Sequence, residues 1–305
     1  MKIDIVIPTY NRLWALKRTL PYYLNNPQVQ QIIIVDDNSN DGTEEWIKQL
    51  SAIEPRVRII RHDFNRGASA SRNSGANIAR APLVFFADDD MIFKSSDGLK
   101  VLANELINNS GDIIAPVLMF SEHKKNLKCL FDYQGKLDIL FMCYPLLLEL
   151  KPSKILINQL PLKTFESAIL CGLMLMRREV LEKVRYDETL GSTSYRDETD
   201  FQLKALNCGF RLLACPRILI TDLVRNYNHN KDGGCHASTN IIGYEWQACK
   251  NNWKILKHHK SIIHNKLNIK ASIKVMQLLF FIEHFIKRLS RYFIGKILRK
   301  LKLLK

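Results

Sequence analysis

The chain has 305 residues, 47% of them hydrophobic, enough to bury a large core in one or two domains. Its net charge of +15 is unevenly spread: Lys250 to Lys305 holds 15 Lys and Arg against one acid, Glu283, which is +14 and leaves only +1 for the other 249 residues. The seven cysteines form no C-x-x-C pair, which argues against a disulfide framework or zinc site and for reduced thiols in the cytosol. The chain opens at once on a strand-like run, so no signal peptide is expected.

In chain order, the first elements are short apolar runs that stop at polar or acidic residues. Ile3 to Ile7 stops at Pro8, Thr9, Tyr10 and Asn11. Ile32 to Val35 stops at Asp36 and Asp37, and Val57 to His62 stops at Asp63. Pro82 to Ala87 stops at Asp88, Asp89 and Asp90. Such runs read as buried strands. Between them lie segments with helical spacing. Asn40 or Asp41 would cap a helix carrying Trp46, Ile47 and Leu50; Ser69 or Ser71 would start one carrying Ala76, Ile78 and Ala79. Strands alternating with helices imply an α/β fold with a mostly parallel central sheet flanked by helices. Ligands of such sheets bind beyond the carboxyl ends of the strands, where all these aspartates would gather.

Three adjacent carboxylates repel one another. A solvated acidic turn is the bland account of Asp88 to Asp90. A divalent cation, Mg2+ or Mn2+, would relieve the repulsion and would hold a substrate that carries phosphates. No G-x-G-x-x-G follows the first strand and no Walker motif occurs, which argues against a dinucleotide dehydrogenase and an ATPase.

Further on, Phe131, Tyr133, Phe141 and Tyr144 lie in an irregular stretch, where they would stack on a ligand's rings or join the core. Ile169 to Met176 is another apolar run, followed by Arg177, Arg178 and a short helix, Glu179 to Val184. A polar loop, Gly191 to Tyr195, leads into a helix that begins near Asp197, Glu198 and Asp200. Carboxylates at a helix start can simply cap it; they can also serve a reaction.

In the tail, Val275, Leu278, Ile282, Phe285, Ile286 and Leu289 recur at helical steps, with lysines and arginines largely between them. This predicts one long amphipathic helix, or two broken near Gly295. Its longest uncharged stretch, Val275 to Ile282, is far short of the roughly 20 residues that span a bilayer. Such a helix suits the surface of an anionic membrane. It would otherwise pack on the protein's own core or on a second copy, giving a homodimer. Nucleic acid is the least favoured partner, because no binding module is recognisable.

Taken together and in this order, these motifs resemble family 2 glycosyltransferases of the GT-A fold, over roughly residues 1 to 260. The resemblance rests on Ile7-Pro8-Thr9-Tyr10-Asn11-Arg12, Val35-Asp36-Asp37-Asn38-Ser39, Asn65-Arg66-Gly67 with Ser71-Arg72-Asn73, the Asp-x-Asp at Asp88 to Asp90, Gly172 leading to Arg177-Arg178-Glu179-Val180, and Asp197-Glu198-Thr199-Asp200. It implies an inverting transferase that uses a nucleotide-sugar donor. Thr9, Asp37 and Arg72 would line the nucleotide pocket, with Pro8, Asn11, Arg12 and Asp89 beside them. Asp37 would read the base edge and Asp63 would help close the pocket. Asp88 would contact the ribose or a metal-bound water, and Asp90 would ligate Mn2+ or Mg2+. Glu198 aligns with the general base, Asp197 and Asp200 being the other candidates.

Two departures from the family pattern stand out. Asp197-Glu198 replaces the commoner Glu-Asp, so which carboxylate is the base stays open. The position where relatives often carry a metal-ligating His falls near Asp222, which could ligate; His229 or His236, flanking Gly233-Gly234, could do so from a loop.

The resulting organisation is a GT-A domain over residues 1–260, with a nucleotide-binding half (1–115) and an acceptor half (116–260), then a basic amphipathic tail over 261–305. The expectation is a metal-dependent enzyme on the cytoplasmic face of the membrane, docked through residues 270–305. It would add sugar to a glycan or lipid-linked precursor. UDP-sugar is the default donor and dTDP-rhamnose its competitor. A non-catalytic scaffold should lack the metal or base carboxylates, and a nucleotidyltransferase should carry a basic glycine-rich loop after the first strand; neither is seen.

Overall fold

The computed structural model describes residues 1–121, 126–129, 163–191, 195–223, 241–267 and 270–287, with Ser290 and Phe293. The four early apolar runs are strands: β1 (Ile3–Thr9), β2 (Val29–Asp36), β3 (Val57–Arg61) and β4 (Leu83–Phe86). The helices between them are α1 (Leu13–Leu24), α2 (Thr43–Ile53) and α3 (Ala68–Ile78). After β5 (Met91–Phe93) and α4 (Gly98–Asn108) come β6 (Ile113–Ser121), β7 (Asn126–Cys129), β8 (Phe165–Glu166), β9 (Met174–Arg177) and β10 (Leu212–Asp222). The later helices are α5 (Val180–Lys183), α6 (Asp197–Asn207), α7 (Ile241–His258) and α8 (Ile273–Phe281).

The ten strands form one sheet in the order β3-β2-β1-β4-β9-β6-β10-β5, with β7 on β6 and β8 on β10. Strands β1 to β4, β6 and β10 share one direction, and β5, β7, β8 and β9 run against them. The parallel half is apolar on both faces, as a sheet sandwiched between helices requires. Ile3, Ile5 and Ile7 of β1 join one core with Leu16 and Leu20 of α1. Val6 joins the opposite core with Ala76 of α3 and Phe86 of β4. A Cβ on Gly75 would lie 2.3 Å from Val6 Cγ1, so glycine lets α3 approach β1 closely.

Two local expectations shift. Ile78 is exposed rather than packed, because the outer face of α3 already turns to solvent there. The Ile169–Met176 run extends as strand only from Met174, leaving residues 169–173 irregular ahead of it.

The tail is divided differently from one long helix. Helix α8 stops at Phe281 and continues as a wider π-helical segment, Ile282–Lys287. Met276 of α8 is buried in a third core with Leu203 of α6 and Ile255 of α7. Val275 and Leu278, on the expected apolar stripe, stay exposed. No helix among the described residues is long and apolar enough to cross a membrane.

Candidate active site

The strand ends of β1, β2 and β4 converge. Thr9 Oγ1 donates to Asp89 Oδ2 at 2.8 Å, and Arg12 Nη1 donates to Asp89 Oδ1 at 2.7 Å and Asp90 Oδ2 at 3.1 Å. Two of the three adjacent aspartates therefore turn inward and share one guanidinium. Burial nevertheless pushes the Asp89 carboxyl up to about 6, Arg12 opposing the shift and Asp90 adding to it. Asn11 joins β1 to the next loop: its N–H donates to Ser39 Oγ at 2.8 Å and its Oδ1 accepts from Asn40 N at 2.8 Å. Pro8 is half-buried behind this junction.

Asp37 serves the protein's own backbone. Its carboxylate accepts from Arg66 N at 2.9 Å and Gly67 N at 2.7 Å, and its Oδ1 lies 2.7 Å from His62 Nδ1. Its side chain is buried and, through these three partners, holds the segment of residues 62–67. Asp63 is exposed at the rim, and Phe64 beside it is 65% exposed.

Arg72 is the hub. Helix α3 holds it at the carboxyl edge, where Nη1 donates to Asp197 Oδ2 at 2.7 Å. Its Nη2 donates to Glu198 Oε1 at 3.0 Å and lies 3.4 Å from Asp88 Oδ1. Tyr186 covers the guanidinium, 5.3 Å from its ring centroid, in cation–π contact. The three carboxylates come from β4 and α6, more than a hundred residues apart in sequence.

Asp197 and Glu198 divide their work. Asp197 is buried, with Oδ2 accepting also from Ser69 Oγ at 3.0 Å and Oδ1 from Glu198 N at 2.9 Å. It anchors Arg72 and the helix start. Glu198 keeps 28% of its side chain exposed. Burial, then the Asp197 charge, push the Glu198 carboxyl up to about 8, with Arg72 opposing them. The turn before this helix is strained: Arg196 adopts φ +62°, a region that costs a long side chain about 1 kcal/mol or more.

Asp88 keeps 33% of its side chain exposed. Burial raises its carboxyl above the usual range, with Asp90 and Glu198 adding to the shift against Arg72. A carboxylate so placed, with only a long contact to a cation, fits a hard divalent ion. The Asp222 backbone pairs with Met91, and Asp90 O accepts from Leu223 N at 2.9 Å. The end of β10 therefore lies alongside the acidic triplet.

Asp200 does not join this group, which corrects its place among the base candidates. It is buried on the side of α6 turned away from Glu198, with His259 Nε2 at 2.8 Å and Lys204 Nζ at 2.6 Å. These partners, working against burial, hold its carboxyl below the usual range. At about 100° per residue, Asp200 lies roughly 200° round α6 from Glu198 and so faces away from it. Phe131, Tyr133, Phe141, Tyr144, His229, His236 and Gly233-Gly234 lie outside the described residues. Sequence reasoning missed His62, Ser69 and Tyr186 as parts of the site; only the position of His62 just before Asp63 hinted at one of them.

Comparison with known proteins identifies the family and the fold. Residues 4–185 match the family model described as Glycosyl transferase family 2. A glycosyltransferase of unassigned specificity from Methanocaldococcus jannaschii is 24% identical over 84% of this chain and 81% of its own length. The Campylobacter jejuni GalNAc(5)-diNAcBac-PP-undecaprenol β-1,3-glucosyltransferase is 26% identical over 37% of this chain and 40% of its own length. The poly(ribitol-phosphate) β-N-acetylglucosaminyltransferase TarP of Staphylococcus aureus is 30% identical over 54% of this chain and 53% of its own length. The chain thus spans about half or less of the length of these last two relatives. Among solved structures, GalNAc-T7 with UDP, GalNAc and Mn2+ superimposes with a TM-score of 0.62 at 15% identity, over 93% of this chain and 54% of that one. S. aureus TarS 1-349 with UDP-GlcNAc gives 0.57 at 14% identity, over 90% and 77%, so both share the fold. With the matched model covering well over half of it, the chain belongs to glycosyl transferase family 2.

Proposed function

We propose that the chain is a metal-dependent, inverting glycosyltransferase that moves a sugar from a nucleoside diphosphate donor to a hydroxyl of a lipid-linked or polymeric glycan. The observation that carries this reading is the shared grip of Arg72 on Asp88, at the end of β4, and Glu198, at the start of α6. It holds a carboxylate suited to the donor's metal and one suited to the acceptor's proton around a single cation.

In this reading Glu198 is the general base. A carboxylate whose pKa sits near the working pH is well matched to accept a proton in the transition state. The acceptor oxygen forms its bond to the anomeric carbon as the bond to the diphosphate breaks, and the hydroxyl proton passes to Glu198. One displacement inverts the anomeric centre, so no covalent enzyme intermediate is needed. Asp88, Asp90 and Asp222 are the residues that would hold Mn2+ or Mg2+, which when bound supplies positive charge for the departing diphosphate. Thr9, Arg12 and Asp89 brace the floor beneath the donor, and Asp37 shapes the wall formed by residues 62–67. Asp63 stands at the rim.

The acceptors in the names of the Campylobacter and Staphylococcus relatives, a polyprenyl diphosphate glycan and a poly(ribitol phosphate), suggest an envelope glycan as the acceptor class. The basic tail, +14 over residues 250–305, supports docking on an anionic membrane from the cytoplasmic side. Incubation with UDP-, GDP- or dTDP-sugars and Mn2+ tests the proposal. Release of nucleoside diphosphate supports it, and release of pyrophosphate instead would make the chain a nucleotidyltransferase.

A further inference from the structure

Helices α7 and α8 form an antiparallel pair whose outer groove changes character along its length. At one end Trp246, Trp253, Leu278 and Phe281 line a cavity of about 480 Å³. At the other, Lys257, Lys260, His264, Lys270 and Lys274 surround a cavity of about 540 Å³. Trp253 and Lys274 border both cavities, so the two are continuous. Among the described residues, no acidic one lines either cavity. Lys257, Lys260, Lys270 and Lys274 have no carboxylate partner among the described residues.

The sequence builds this polarity by spacing. Ile242, Trp246, Lys250, Trp253, Lys257, Lys260 and His264 follow one another at three- and four-residue steps, one stripe running from apolar to basic. On α8 the order is reversed, from Lys274 to Leu278 and Phe281, as antiparallel packing requires. Six of the eleven exposed large hydrophobic residues among those described lie between Ile242 and Phe293, including Trp246 at 51% and Leu278 at 58%. Apolar exposure concentrated in this way marks an interaction surface.

We infer that this groove binds one anionic phospholipid of the membrane surface, its phosphate among the lysines and an acyl chain along Trp246, Trp253 and Leu278. The inference rests on the membrane-docking reading above and sharpens it. It moves the contact from the tail alone to a bipartite site whose other wall is α7. Charge complementarity selects the occupant: a cavity ringed by four lysines without carboxylate partners needs an anion, and the apolar cavity continuous with it needs a chain attached to that anion. A free phosphate would leave the apolar half unfilled, and an uncharged apolar segment would leave the lysines uncompensated.

The test is flotation of the full chain with phosphatidylcholine vesicles, with and without about one-third phosphatidylglycerol. The wild type is expected to float only with the anionic vesicles. Each lysine near an anionic surface contributes about fivefold to binding. Lys260→Glu with Lys274→Glu, both exposed positions, should therefore weaken binding at least tenfold, and Leu278→Gln should weaken it severalfold. Vesicles brominated on the acyl chain should quench tryptophan emission, and this quenching should fall in Trp246→Leu. Circular dichroism melts confirm that each variant is folded.

Binding to anionic vesicles that is indifferent to these substitutions would overturn the groove while leaving membrane docking intact. Failure of the wild type to float with any vesicle would overturn both. Pyrophosphate binding that is lost with the lysines, alongside unchanged flotation, would identify a soluble-phosphate pocket and overturn the lipid assignment. Absence of acyl-chain quenching in bound protein would mean that another segment or a second copy fills the groove, and would overturn it as well.

Discussion

Gly172 lies against the carboxylate of Glu198 so closely that a Cβ there would stand 2.9 Å from Oε1 and 3.1 Å from Cγ. Glycine at this point of the irregular 169–173 segment therefore decides where the candidate base sits. Its φ is ordinary; what matters is the missing side chain.

Gly172→Ala should displace Glu198 by a few tenths of an ångström. Because an ångström of misplacement can cost about 100-fold, the expected loss in kcat is roughly tenfold. KM for the donor and the melting temperature should change little. A loss confined to KM would contradict this positioning role.

Glu198→Gln should lower kcat by between about 100- and 10,000-fold while leaving donor binding intact. In the wild type, activity should rise with pH through about 8, where the Glu198 carboxyl loses its proton. The stability effect runs the other way. The folded-state pKa lies above that of the unfolded chain, so between roughly pH 4.5 and 8 the folded state holds the extra proton and stability falls as pH rises. The melting temperature of Glu198→Gln relative to wild type should therefore climb across that window. A flat difference in parallel scans would refute the raised pKa.

Arg72→Ala removes the one guanidinium that Asp88, Asp197 and Glu198 share. Uncompensated buried charge, chiefly at Asp197, should cost about 3–5 kcal/mol of folding stability in urea titrations at neutral pH. Arg72→Lys should recover only part of it, because an ammonium cannot reach two helix-start carboxylates as a fork does.

Asp200→Asn separates structure from chemistry. Its partners His259 and Lys204 make it a packing anchor, so kcat should stay within a few-fold of wild type while stability drops by about 1–3 kcal/mol. Its folded-state pKa is depressed, so its contribution is present above the unfolded carboxylate pKa and fades as pH falls through the folded value. A collapse of kcat in folded protein would restore Asp200 as a base candidate.

Much of the architecture was legible because strands β1, β2 and β4 are short runs apolar on both faces and each ends at its polar residues. That local signal placed Thr9, Asp37 and Asp88 to Asp90 on one edge before any contact was known. What the sequence could not disclose were contacts between distant segments. The Arg72–Asp197 pair joins residues 125 apart, and the Arg12–Asp89 pair joins residues 77 apart. The backbone of residues 66–67 folds onto Asp37, a contact that no local pattern announces. Asp200 looked interchangeable with Glu198, yet the opposite face of α6 and a histidine 59 residues on claim it. In the tail, Val275 and Leu278 of the expected apolar stripe are exposed, and Met276 and Phe280 next to it supply the buried face.

The most direct test of the account is the thermal stability of the full chain with UDP, GDP and dTDP, each with and without Mn2+, in wild type, Asp88→Asn and Glu198→Gln. A nucleotide at about 100 times its dissociation constant adds roughly 2.7 kcal/mol, a shift of a few degrees for a chain of this size. The account predicts a shift with one nucleoside diphosphate that needs Mn2+, disappears in Asp88→Asn and survives in Glu198→Gln. A shift that is independent of metal and unchanged in Asp88→Asn, or no shift with any of the three in folded protein, would contradict it.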